Sequence, residues 1–286
     1  MDTTEAVAGL QCTDCGEEHD SADVTHRCPD CGGILHPILD TSSVTLSRDD
    51  LESRPFDGIA RYAAVLPVSA EALVTMDEGT TPLISAPELA ADLGVGEVLI
   101  KDEGRNPTGS LTDRGAALAV TAAVEHGTET VALPSTGDAG QAVSAYAARA
   151  GLDAEVFVPS RATFDNKAMI NVHGGEMTVV VGRFTDARAA FEDAIADEQW
   201  YSMAPFETPY RHEGAKTTFY EIAERRDWTS PDHVVVPTGH GTGLVGMAKA
   251  ARELLDLGWI DDSPAFHAAQ AAGCAPIADA WDDGTA

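Results

Sequence analysis

The sequence predicts an α/β fold, and three observations carry the prediction. Short apolar strands rich in β-branched residues alternate with alanine-rich helical stretches along the main body of the chain. The turns between them are rich in glycine, as strand-to-helix turns of parallel sheets are. A pair of Cys-x-x-Cys knuckles stands apart from this pattern near the N-terminus, which predicts a small metal-stapled module ahead of the body.

In chain order, the knuckles come first: Cys12-Thr13-Asp14-Cys15-Gly16 and Cys28-Pro29-Asp30-Cys31-Gly32-Gly33. Each places two thiolates on one tight turn, whose glycine frees backbone amides to face the sulfurs, and two such turns supply the four ligands of tetrahedral zinc. Four thiolates leave no open coordination position. Cys12, Cys15, Cys28 and Cys31 are therefore expected to hold a structural zinc in a ribbon module over residues 1–38. The fifth cysteine, Cys274, lies in the small-residue stretch Ala271 to Pro276 and is expected to be packed rather than reactive.

Glu97 to Lys101 then reads as a strand and Asp113 to Glu125 as a helix, followed by strand Thr130 to Pro134 and helix Ala139 to Ala150. Strand Ala154 to Val158, helix Asn166 to Val172, strand Met177 to Val181 and helix Asp186 to Glu198 continue the alternation. Strand His233 to Val236, a glycine-rich turn and helix Leu244 to Asp256 close it, with no internal repeat. Parallel sheets covered on both faces are expected.

Charge narrows the partners. Asp and Glu number 47 against 18 Lys and Arg, giving −29, and the lysines are Lys101, Lys167, Lys216 and Lys249. Such a balance argues against nucleic acid and against an anionic membrane surface. The carboxylates are dispersed rather than massed in a tail, a pattern read as adaptation to concentrated salt. The start Met1-Asp2-Thr3-Thr4-Glu5 lacks the features of a signal peptide and no apolar run would span a bilayer, so a cytoplasmic protein is expected.

Three turns sit between a strand and a helix start, where backbone amides and the helix dipole attract anions: Asn106 to Gly109, Ser135 to Gly140 and Thr238-Gly239-His240-Gly241-Thr242-Gly243. The last, with alternate glycines, is the best phosphate cradle. In this order the segments resemble the threonine synthase branch of the fold type II pyridoxal-phosphate (PLP) enzymes. Glu78-Gly79-Thr80-Thr81-Pro82-Leu83, Lys101-Asp102-Glu103-Gly104, Asn106-Pro107-Thr108-Gly109-Ser110-Leu111-Thr112-Asp113-Arg114-Gly115, Ser135-Thr136-Gly137-Asp138, Tyr210 to Thr217 and Pro237 to Gly243 all resemble family motifs. The resemblance implies a tryptophan synthase β-like fold, with a large domain over 39–114 and 206–286 and a small domain over 115–205. It also implies cofactor contacts at Asp138, Gly239, His240, Gly241, Thr242 and Gly243, and substrate contacts at Ser135 and Thr136.

Three departures bear on function. Thr112 stands where the family has the lysine that forms the Schiff base, Asp138 stands where it has an asparagine near the cofactor's phenolic oxygen, and the family chain continues well past the point where this one ends, at Ala286. A hydroxyl neither forms an imine nor relays the family's protons. The expectation is thus a catalytically degenerate homologue, with zinc retained and PLP, where bound, held non-covalently. Such a protein would bind a phosphorylated amino acid, form a homodimer or pair with an active paralogue and regulate it. Two alternatives stay open: an active enzyme converting O-phospho-L-homoserine to L-threonine with non-covalent PLP, and a zinc-ribbon adaptor.

Overall fold

Residues 4–24 and 26–284 are described by the computed structural model. Met1 to Thr3, Thr25, Thr285 and Ala286 lie outside the described residues, and with them most of the acidic start and the final residue invoked above.

Strands β1 (Val7–Cys12), β2 (Glu18–His19) and β3 (Leu35–Leu39) form an antiparallel sheet in the order β2-β1-β3, with the knuckles at its turns. Helix α1 (Arg48–Ser53) starts at a capping box between Ser47 and Asp50. A 3₁₀ segment, Gly58–Val65, leads to β4 (Leu83–Ser85), α2 (Pro87–Leu93) and β5 (Leu99–Lys101). β4 and β5 pair antiparallel, where parallel pairing was expected; strand composition alone does not distinguish the two directions.

Helix α3 (Thr112–Glu125) is buried continuously from Asp113 to Ala123, which explains its run of alanines and small residues. Then β6 (Thr130–Pro134), α4 (Asp138–Ala150), β7 (Asp153–Pro159), α5 (Phe164–Val172), β8 (Glu176–Val180), α6 (Phe184–Ile195) and β9 (Tyr201–Ser202) build one parallel sheet, ordered β8-β7-β6-β9. The central strand β6 is buried over Val131 to Pro134, as an unbroken apolar run in a covered parallel sheet should be. Helix α7 (Arg211–Arg225), β10 (His233–Pro237), α8 (Thr242–Asp256), β11 (Ala265–Ala269) and α9 (Pro276–Asp282) follow, with β10 and β11 parallel.

Helix α7 packs on both α3 and α8, and glycines set how closely. A Cβ on Gly115 would come 2.6 Å from the Arg211 carbonyl oxygen, and one on Gly214 would collide with the Arg114 carbonyl. These two glycines let the backbones of α3 and α7 touch, so the first turns of both helices lie side by side. Among the described residues no helix is long and apolar enough to cross a membrane. Cys274 is exposed, contrary to the packed position expected from its small neighbours.

Candidate functional site

The starts of α3, α4, α7 and α8 surround a cavity of about 350 Å³. Its lining includes Ser110, Thr112, Ser135, Thr136, Asp138, Phe184 and Arg211, together with Gly239 to Gly243. Every cofactor and substrate residue expected from the sequence is therefore brought to one cavity. Arg211, Phe184 and Ser110 join them; no role had been assigned to these three, although Arg211 lay inside a recognised motif.

At one end lies the glycine turn. Gly241 takes φ +95°, a left-handed conformation natural to glycine, and directly precedes α8. No side chain caps that helix start, so its first amides are left to point toward a ligand. His240 lies 5.2 Å from Phe184, ring to ring, so the turn meets α6 across the cavity. Burial, then Arg211 and Arg188, push its imidazole below the ordinary range, which keeps it neutral.

At the other end, Thr112 Oγ1 donates to Asp138 Oδ2 at 2.9 Å, and Ser110 Oγ lies 3.0 Å from Thr112 Oγ1 and 3.3 Å from the same carboxylate oxygen. Asp138 is the first residue of α4. Arg211 is 6% exposed and donates to the Met203 carbonyl at 2.6 Å. Burial pulls its guanidinium down to about 10 against the pull of Asp138, still a cation at neutral pH. Ser135 Oγ is turned into its own loop, accepting from the Gly137 and Gly140 amides at 3.0 and 2.8 Å, while Thr136 is exposed at the mouth.

Comparison with known proteins fits this geometry. Residues 74–286 match the family described as pyridoxal-phosphate dependent enzyme. The threonine synthase of Methanosarcina acetivorans is 36% identical over 276 residues, covering 96% of this chain and 67% of the relative; that of Methanocaldococcus jannaschii is 34% identical over 275 residues, covering 95% and 67%. The chain belongs to the threonine synthase family. Maize serine racemase shares the fold with a TM-score of 0.62 at 21% identity, covering 71% of this chain and 60% of that one. The chain thus spans about two thirds of the length of these threonine synthases.

For a member of the threonine synthase family, the cavity fits one end of the family's cofactor and not the other. The uncapped start of α8 suits a phosphate, and a Cβ added at Gly239 would meet no atom within 4 Å, so the turn leaves room for one. The covalent end has no counterpart, because no lysine is among the described residues that line the cavity. Lys216, the substitute that only geometry could exclude, is 1% exposed and bonded to Glu253 at 2.9 Å, Glu213 at 2.7 Å and the Val65 carbonyl at 3.1 Å. Burial would lower its ammonium, but the two carboxylates outweigh burial and raise it. Lys101 is held by Glu221 and Thr81, Lys249 by Glu213 and the Pro37 carbonyl, and Lys167 donates to the Ser160 carbonyl.

Away from the cavity, the four sulfurs of Cys12, Cys15, Cys28 and Cys31 lie within 4.8 Å of one another. The Cys12–Cys31 and Cys15–Cys28 separations are 3.5 and 3.7 Å, close to the sulfur–sulfur edge of roughly 3.8 Å that tetrahedral zinc with Zn–S bonds of about 2.3 Å requires. The Asp14 and Gly33 amides face the Cys12 and Cys31 sulfurs at 3.4 Å, as the knuckle motif implies. The donor set suits a closed structural site. The module is tied to the body by Arg27 to Glu207 at 3.1 Å and by His36 Nδ1 to His212 Nε2 at 2.6 Å.

Proposed function

We propose that this chain is a threonine synthase homologue that has left the family's covalent chemistry and keeps its anion pocket as a binding site for a phosphorylated amino acid. The supporting observation is the placement of the lysines: all of them are engaged elsewhere, and the position at the first residue of α3 is a threonine bonded to a carboxylate. Without a basic group at that point, proton transfers lose the factor of about 10²–10⁴ that a positioned base contributes. Zinc on the four cysteines then serves to hold the N-terminal sheet. The expected setting is the cytoplasm, with partners limited to a second copy or an active paralogue that this chain regulates. The dispersed negative charge is read as salt adaptation.

The test is a titration with PLP followed by borohydride and peptide mass mapping. The reading expects no reduced cofactor on any lysine. A stoichiometric adduct on Lys101, Lys167, Lys216 or Lys249 refutes it. A second reading, an active enzyme making L-threonine from O-phospho-L-homoserine with non-covalent PLP, is favoured by the intact glycine turn and the 36% identity to a threonine synthase. Phosphate release from O-phospho-L-homoserine that depends on added PLP would select it.

A further inference from the structure

We propose that a second cavity, at the seam between the N-terminal module and helix α6, binds an α-amino acid with an aromatic side chain. Arg188 and Glu192 hold it there as a zwitterion.

This cavity has a volume of about 360 Å³, toward the small end of the roughly 300–1,000 Å³ of ligand pockets. Among the described residues it shares no lining side chain with the first. The two are neighbours, because α6 carries Phe184 in the first cavity and Arg188, Phe191, Glu192 and Ile195 in the second. The floor is apolar: Phe191 and Ala204 are buried, and Trp200 and Ile195 are half-buried. Phe157 backs it, with its ring centroid 5.9 Å from Phe191 and 6.4 Å from Trp200. A floor already built of tilted rings takes a further ring in edge or offset contact. His26 closes the cavity from the module. Burial lowers its imidazole against the pull of Glu207, so it is neutral and its Nε2 accepts from the Ser202 amide at 3.0 Å.

Charge is confined to the rim. Arg188 Nε donates to Glu192 Oε1 at 2.7 Å across one turn of α6, and both side chains are about half exposed. That contact leaves the two Nη atoms of Arg188 and Oε2 of Glu192 without a hydrogen-bond partner among the described residues. Glu207, the third charged group, is engaged by Arg27 at 3.1 Å.

A zwitterion suits such a pair better than an ion of either sign. Side chains at i and i+4 stand about 5–6 Å apart at Cβ. The carboxylate and ammonium of an amino acid diverge from one carbon, so a single molecule reaches both: carboxylate on the Nη edge of Arg188, ammonium on Oε2 of Glu192. A lone anion leaves Glu192 unmatched and is repelled by a chain of net charge −29. A lone cation leaves Arg188 unmatched. With the charged groups at the rim, the side chain of the ligand points to the aromatic floor.

Four probes separate these contacts: L-phenylalanine, 2-phenylethylamine without the carboxylate, 3-phenylpropionate without the ammonium, and L-alanine without the ring. Calorimetric titration of the full chain should show saturable binding of L-phenylalanine and about tenfold weaker binding of each of the others. Arg188→Gln should erase the preference over 2-phenylethylamine, and Glu192→Gln the preference over 3-phenylpropionate. Both positions are exposed, so the fold should tolerate the changes. Asp138→Asn, in the first cavity, should alter none of these affinities. No saturable binding of L-phenylalanine below about 1 mM, equal affinities for it and the truncated probes, or preferences that survive the α6 variants overturn the proposal. Loss of binding in Asp138→Asn overturns it too, by moving the ligand to the first cavity. Neither phosphate nor PLP is present in these titrations, so their outcome is independent of the function proposed for the first cavity.

Discussion

Thr112→Lys asks whether the family's attachment chemistry is missing one residue or more. Thr112 opens α3 with its hydroxyl 2.9 Å from Asp138, so an introduced ammonium enters beside a carboxylate. Asp138 is exposed, and exposed ion pairs contribute about 0.2–1 kcal/mol. At 1.36 kcal/mol per unit, that raises the amine by less than about one unit above the ordinary lysine value of roughly 10.4. The reactive neutral amine then falls by up to about fivefold relative to an uncharged neighbour. The single variant should therefore acquire a borohydride-reducible PLP linkage at residue 112, and Thr112→Lys with Asp138→Asn should acquire it up to about five times faster at neutral pH. Absorbance kinetics after PLP addition, followed by peptide mapping, measure both. A single variant that binds phosphate yet forms no linkage would show that the cavity no longer orients the cofactor ring. Equal rates in the two variants would refute the electrostatic role given to Asp138.

Arg114 is fully buried between Glu103 at 2.7 Å and Glu221 at 2.6 Å, so Arg114→Leu leaves two carboxylates to share Lys101 and should cost about 3–5 kcal/mol, or roughly 6–20 °C in Tm by thermal melting; a shift under about 2 °C would contradict this. Burial pushes Glu103 and Glu213 up, but Arg114 beside the first and Lys216 beside the second outweigh it and hold both carboxyls at about 2, below the ordinary 4.5. Depressed carboxyls contribute stability fully present above about pH 4.5 and lost as pH falls toward 2, so the urea midpoint should drop across that window. Chelator dialysis should release zinc and open residues 4–39 to protease while the cavity keeps its anion affinity; unchanged proteolysis would argue against a structural metal. If the charge is salt adaptation, the midpoint should rise between low salt and about 2 M KCl, where the screening length is only a few ångströms; a flat response would count against it.

Much of the framework was legible because its signals are local. β6 is Thr130–Pro134, the strand expected, and α4 begins at Asp138, one residue before the predicted start. Helix α7 escaped for a physical reason. Arg211, His212, Glu213, Lys216 and Glu221 are all buried in it, the last four paired with one another or with α3 and α8 and Arg211 bonded to the Met203 carbonyl, so its inward face is charged and hydrophobic periodicity finds nothing. Lys216 was likewise undecidable from sequence: only its partners show that it is spent inside the core. Arg211 and Phe184 reach the cavity from elements far apart in the chain, which no spacing rule reveals.

The motif from Asn106 to Gly115 shows why the frame outlasts the reagent. Asn106 accepts from the Gly79 amide at 2.9 Å and donates to Glu103, which fastens two loops. Asp113 accepts from the amide and hydroxyl of Thr108 at 2.8 and 2.6 Å and so ties down the turn before α3. Arg114 centres a buried ion network, and Gly115 lets α7 approach. Each of these side chains has work in the folded state that is independent of any cofactor, and losing one would leave a buried charge, an open turn or a steric clash. Ser110, Leu111 and residue 112 face the cavity instead, and of these residue 112 stands at the family's lysine position. Its replacement removes nothing that the fold requires, so selection for a stable chain preserves the surrounding motif whether or not the chemistry persists. A well-kept motif is therefore a record of folding constraints, and the positions that face the cavity are the ones that report on the reaction.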